Sequence, residues 1–221
     1  MTIQTEERTT RAYRLLLRAG IRVLPVPVEA LARHAAPGVL LASYAEYERR
    51  TGLARTALAE SGMADGLTFL SPRGARVILY NEAKSEARRR FTICHEIGHI
   101  VCGHTRHGHA EEAEANDFAA RLLMPDALLR FARDRRQAVT AEFLSACFGV
   151  SRAAARRKLA ALSAFGFGEA HTLDNAVRLL FQDALYAFAP AMSLHDRPGD
   201  LFGSEENRSA LVSIENALLE P

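Results

Sequence analysis

Five consecutive residues limit what this chain can fold into more than any other stretch: His95-Glu96-Ile97-Gly98-His99. On an α-helix each residue advances about 100°, so His95 and His99 stand about 40° apart on one face. Two imidazoles side by side in that way suit a single zinc ion. Glu96 is rotated off that line and can act as general base toward a water activated there. Ile93, Ile97, Ile100 and Val101 make the opposite face apolar, so such a helix is packed on both sides. Gly98 lies near the histidine line without a side chain, which leaves room for a second helix to approach.

Composition narrows the class of protein. A chain of 221 residues with 48% hydrophobic residues is long enough and apolar enough for a substantial core. Lys+Arg of 28 against Asp+Glu of 26 is close to balance, which argues against a dedicated electrostatic nucleic-acid binder. The cysteines, Cys94, Cys102 and Cys147, are odd in number and lie in apolar helical settings, as reduced buried thiols do. Residues 1–18 carry charges throughout and lack the apolar core of a signal peptide. No run approaches the length of a membrane span. The expectation is a cytoplasmic protein with no membrane partner.

Taken in order, residues 5–19 read as an amphipathic helix stopped by Gly20. Pro27 opens a second helix with Val28, Leu31, Ala32 and Ala35 on one face, ended by Pro37-Gly38. Residues 39–43 read as a strand and 44–60 as a polar helix. Residues 67–70 and 76–80 read as two strands of a hairpin joined by Ser71-Pro72-Arg73-Gly74. The motif helix follows Asn81. Arg88, Arg89 and Arg90 on its first turns read as a solvated basic face. Gly103 ends it, and residues 104–109 form a loop rich in histidine. A further helix spans about 110–123, with Ala115, Phe118, Ala119 and Leu122 as its apolar line and Met124-Pro125 as its stop. A short helix covers 126–135. Residues 141–162 read helix–turn–helix, with Ser151 capping the second helix. A final amphipathic helix covers about 173–188, and residues from 190 read as a loose arm with a helix near 208–219.

Two histidines need a third protein ligand. The metzincin pattern, His-Glu-x-x-His-x-x-Gly-x-x-His, fails here by one residue. It requires Gly at Cys102 and His at Thr105, where this chain has Gly103 and His104. The alternative is a glutamate of the next helix. About the Ala115 line, Glu111 and Glu112 flank the buried face at about 40° and 60°, and Glu114 points about 100° away. Periodicity disfavours Glu114 and leaves Glu111 and Glu112 open.

Arg90-Phe91-Thr92 leading into His95-Glu96-Ile97-Gly98-His99, then residues 112–120 (EAEANDFAA), then Leu122-Leu123-Met124-Pro125, resemble the ImmA/IrrE family of bacterial metallopeptidases. The likeness covers roughly residues 25–165. It implies that Glu112 is the third ligand, being the Glu four residues before an Asn, and that Asn116 orients a ligand from behind. It implies one Zn2+ per chain and a zinc metallo-endopeptidase with Glu96 as catalytic residue. For the oxyanion, Tyr80, His104, His107 and His109 are candidates. It further implies a protein substrate, a helix–turn–helix transcriptional repressor, whose cleavage derepresses mobile-element, prophage or stress-response genes.

The expected fold is α+β: a mainly helical zincin-like domain with a small antiparallel sheet over residues 1–138, a helix–turn–helix-like segment over 139–165, and a C-terminal helical arm of unknown role over 166–221. An extended substrate is expected along an outer strand of the sheet, with 76–80 as the candidate. Arg152, Arg156, Arg157 and Lys158 on the second helix of the helix–turn–helix-like segment read as a solvated face, with direct nucleic-acid contact not favoured. Two other classes fit the same residues: a DNA-binding regulator using 141–162, and an antirepressor that binds its partner without cutting it.

Overall fold

A computed structural model describes residues 3–52, 65–106, 108–190 and 192. The expected continuation of the 44–60 helix past 52, His107 and the helix near 208–219 lie outside the described residues. The fold is mainly helical with one small sheet, and divides into two compact units, 28–120 and 1–27 with 121–221.

In the first unit, α2 (Val28–Ala35) buries Val28, Leu31 and Ala32, the stripe its periodicity marks. Strand β1 (Leu40–Ser43) runs into α3 (Tyr44–Thr51), whose N-terminus is capped by the Ser43 hydroxyl accepting from the Glu46 N–H at 3.1 Å. Gly52, at φ +74°, ends α3. Strands β2 (Gly66–Leu70) and β3 (Arg76–Tyr80) form the expected hairpin, with Leu67 opposite Leu79 and Phe69 opposite Val77. Its turn closes where the Gly74 N–H donates to the Ser71 carbonyl at 2.9 Å.

The sheet is mixed, not antiparallel. Its order is β1-β3-β2, and β1 lies parallel to β3 with Leu40 opposite Val77 and Ser43 opposite Tyr80. β3 is therefore central and paired on both sides, so residues 76–80 cannot be the outer strand a substrate would join. Covered strands read as continuous apolar runs, and Val77, Ile78 and Leu79 are all buried. Val77 and Leu79 pack with Tyr44, Ala42, Tyr47, Leu67 and Phe69.

Helix α4 (Glu86–Val101) packs on β2, β3 and α2 and buries Ile93, Cys94, Ile97 and Ile100. It comes so near the sheet that a Cβ at Gly66 would stand 2.4 Å from Thr92 Cγ2. The arginine run on its first turns is not a uniform solvated face. Arg88 pairs with Asp65, whose carboxyl is held below its ordinary range chiefly by that hydrogen bond. Arg89 donates to the Glu82 carbonyl at 3.1 Å, and Arg90 is buried. Helix α5 (His109–Leu123) follows, with Ala115, Phe118, Ala119 and Leu122 fully buried. The boundary between the two units falls within it, after Ala120.

The second unit is helical: α1 (Ile3–Ala19), α6 (Asp126–Asp134), α7 (Ala141–Phe148), α8 (Arg152–Phe165) and α9 (Asp174–Phe188). Helix α9 packs on α1 and α6, and α7 on α8. The buried Tyr13 hydroxyl of α1 accepts from the Ala127 N–H at 3.1 Å. Thr140 and Ser151 cap α7 and α8, each accepting from the N–H three residues on at 3.1 Å. Gly149, at φ +64°, makes the turn between these two helices. Arg152, Arg156 and Arg157 are exposed, whereas Lys158 is tied to Asp126 at 2.5 Å. Among the described residues no helix is long and apolar enough to cross a membrane.

Candidate metal centre

The centre is built from α4 and α5. Gly98 brings them together: a Cβ there would stand 3.1 Å from Ala115 Cα and 3.2 Å from the Phe118 ring. At this crossing the structure gathers His95, His99 and Glu112. The two Nε2 atoms are 3.0 Å apart. Glu112 Oε2 lies 3.2 Å from His95 Nε2, and its Oε1 lies 3.4 Å from His99 Nε2.

These distances fit a zinc ion. Bonds of about 2.0–2.1 Å in a tetrahedron place the donor atoms roughly 3.3 Å apart. Two imidazoles and a carboxylate are also the donor set of a catalytic site with one open position.

The tautomers agree. His95 Nδ1 is 3.0 Å from Asn116 Oδ1, an oxygen that can only accept. His95 thus carries its proton on Nδ1, which leaves the Nε2 lone pair directed at Glu112 and His99. Burial holds the His95 imidazolium below its ordinary pKa, against the opposing charge of Glu112. The ring is accordingly kept in the neutral form a metal needs.

Glu111, the competitor left open by periodicity, is turned elsewhere: a Cβ on Gly108 would meet its Oε2 at 2.5 Å. The orientation follows from α5 packing through Ala115, which turns the 112 position toward α4. Glu96 is buried. Its charge, after burial itself, raises the phenol of buried Tyr44 to about 12. Tyr44, the first residue of α3, therefore lies within electrostatic range of Glu96, which periodicity did not reveal because the two are far apart in sequence.

The oxyanion candidates are scattered. His109 is exposed at the start of α5. The charges acting most on Tyr80 come from Glu29, Arg89, Glu46 and Glu82, outside the cluster. His104 stands behind His99, Nδ1 to Nδ1 at 3.0 Å, on the edge opposite the Nε2 that faces Glu112. Its Nε2 is 3.4 Å from Glu114 Oε2. Glu114 therefore lies at the back of the centre, and with Cys102 and His104 it makes a second cluster of ligating atoms. Cys94 and Cys147 are buried thiols, each pushed up to about 12 by burial, and Cys102 is half-buried.

Comparison with known proteins bears on the same stretch. A family model described as the IrrE N-terminal-like domain, a peptidase family, matches residues 53–160, which include every residue of the centre. Neither the curated proteins nor the solved structures give a match. Residues 53–160 are thus similar to the IrrE N-terminal-like domain of a peptidase family, in agreement with the ImmA/IrrE resemblance of the motifs.

Proposed function

We propose that the chain is a zinc-dependent endopeptidase in which His95, His99 and Glu112 hold one ion and Glu96 is the catalytic residue. The observation that carries this is the convergence of two imidazole Nε2 atoms and one carboxylate, beside a buried glutamate, within a peptidase-family domain. Bound there, zinc supplies Lewis acidity toward the scissile carbonyl and its attacking water. Glu96 takes the proton released as that water adds to the carbonyl carbon, and passes it to the amine nitrogen as the C–N bond breaks. Asn116 holds the His95 ring in the tautomer that offers Nε2. An extended substrate joins an outer strand of the described sheet, β1 or β2, by main-chain hydrogen bonds.

The substrate proposed is a helix–turn–helix transcriptional repressor, and the support for it is the family resemblance of the motif series. The test is incubation of the purified chain with a purified candidate helix–turn–helix repressor, wild type against Glu96→Gln. Cleavage by wild type alone, at one bond, is the expected result. Release of the repressor's promoter by Glu96→Gln without cleavage would favour the antirepressor class instead. The DNA-binding alternative has the exposed Arg152, Arg156 and Arg157 in its favour, and a gel shift on generic and upstream DNA reads it directly.

A further inference from the structure

We infer that His104 is a positioning residue for His99, the first member of a relay His99–His104–Glu114 that fixes which nitrogen of His99 faces the metal. The inference rests on the zinc centre proposed above.

The relay begins in the backbone. At the end of α4, the Gly103 N–H donates to the Ile100 carbonyl at 3.2 Å and the His104 N–H to the His99 carbonyl at 2.9 Å. With Gly103 at φ +72°, this is the Schellman arrangement of a helix C-terminus. That motif folds the residue after the glycine back over the residue five positions earlier. Here the two side chains brought together are His104 and His99. Their ring centres are 5.0 Å apart at an interplanar angle of 73°.

Proton placement then follows with one consistent solution. A metal on His99 Nε2 requires the His99 proton on Nδ1. That N–H faces His104 Nδ1 at 3.0 Å, which must therefore accept. A neutral imidazole that accepts at Nδ1 carries its own proton on Nε2. His104 Nε2 faces the Glu114 carboxylate at 3.4 Å, an acceptor. Every nitrogen along the line has a partner of the right kind.

The same count decides against a second ion among Cys102, His104 and Glu114. An ion on His104 Nε2 would move that ring's proton to Nδ1. Two N–H groups would then oppose each other between His99 and His104. His99 could relieve this only by moving its proton to Nε2, which removes it from the first centre. The two clusters compete for one proton position, so one ion is bound per chain.

The test measures zinc stoichiometry and zinc affinity by chelator competition, with circular dichroism confirming the fold. His104→Leu removes the acceptor, whereas His104→Asn offers Oδ1 at about the place of Nδ1. Wild type should bind one ion. His104→Leu should bind it about 10–100-fold more weakly, and His104→Asn should recover most of the loss. In the zinc-loaded wild type, nitrogen NMR should find His99 protonated at Nδ1 and His104 protonated at Nε2. Unchanged affinity in His104→Leu overturns the relay while leaving the zinc centre standing. Two ions per chain, or His104→Asn as weak as His104→Leu, overturns it as well. A wild-type chain that binds no zinc overturns both the relay and the centre beneath it.

Discussion

Gly98 of α4 faces the backbone of Ala115 of α5 so closely that a methyl group at 98 would stand 3.1 Å from Ala115 Cα and 3.2 Å from its carbonyl oxygen. This one crossing sets the distance between the two histidines and the glutamate, because His99 adjoins Gly98 and Glu112 lies one turn before Ala115. Replacing Gly98 by alanine gains about 1 kcal/mol of helix propensity and forces the helices apart by a few tenths of an ångström. In Gly98→Ala the two effects offset, so the thermal midpoint stays near wild type. Zinc affinity falls by about tenfold, because the donor atoms are spread. Chelator competition and thermal melts on one preparation check this. A fall in midpoint with unchanged affinity would show that the crossing serves packing only.

Glu112 and Glu111 are adjacent in sequence and opposite in predicted effect. Glu112 reaches both His95 and His99 within 3.4 Å, and Glu111 turns back toward Gly108. Glu112→Gln replaces the carboxylate of the proposed third ligand by a weak neutral donor and is expected to lose stoichiometric zinc and peptidase activity together. Glu111→Gln is expected to keep both. Metal analysis after gel filtration reads the difference, and loss of zinc in Glu111→Gln alone would reverse the assignment.

His171 in the second unit gives the fold a pH dependence of definite sign. Its Nδ1 accepts from the Leu173 N–H at 3.0 Å, so its proton sits on Nε2, facing Thr10 Oγ1 at 2.9 Å. The Thr10 hydroxyl in turn donates to the Glu6 carbonyl. Burial holds the ring's pKa below the ordinary 6.5, against the pull of Asp174. Below that value the unfolded chain binds a proton that the folded chain resists. Stability present above pH 6.5 is therefore lost as pH falls through 6.5 toward the folded value. The urea midpoint of zinc-free protein should be lower at about pH 5.5 than at about pH 7.5, and His171→Gln should show a smaller drop. His95 is shifted in the same direction and Asp174 in the opposite one, so the variant comparison, not the wild-type slope, reads His171. Equal drops in the two proteins would remove His171 as the cause.

Much of this was legible in the chain because local rules governed it. The 3.6-residue period marked the buried stripes of α2 and α5, and glycines at 20, 38, 103 and 149 stopped helices where a left-handed residue was needed. The hairpin was legible because its two strands are joined by a short turn. The parallel pairing of β1 with β3 was not. Those residues are far apart in sequence, and a strand of four residues carries no mark of its partner. That pairing turned β3 from a presumed outer strand into the centre of the sheet. The arginine run misled for a similar reason, since Arg90 is buried by elements that a charge pattern does not describe.

By itself, the sequence determined the helix that carries His95, Glu96 and His99, the face those residues share, and the cap that ends it at Gly103. These depend on bonds and spacings within a few residues. Which groups stand around that face was decided only by tertiary structure. Glu112 rather than Glu111 reaches the two Nε2 atoms because α5 packs on Gly98 through Ala115. Glu114, at the disfavoured angle, instead faces His104. A helix's period gives the direction of a side chain about its own axis. Only the packing of a second helix supplies the place toward which that side chain points.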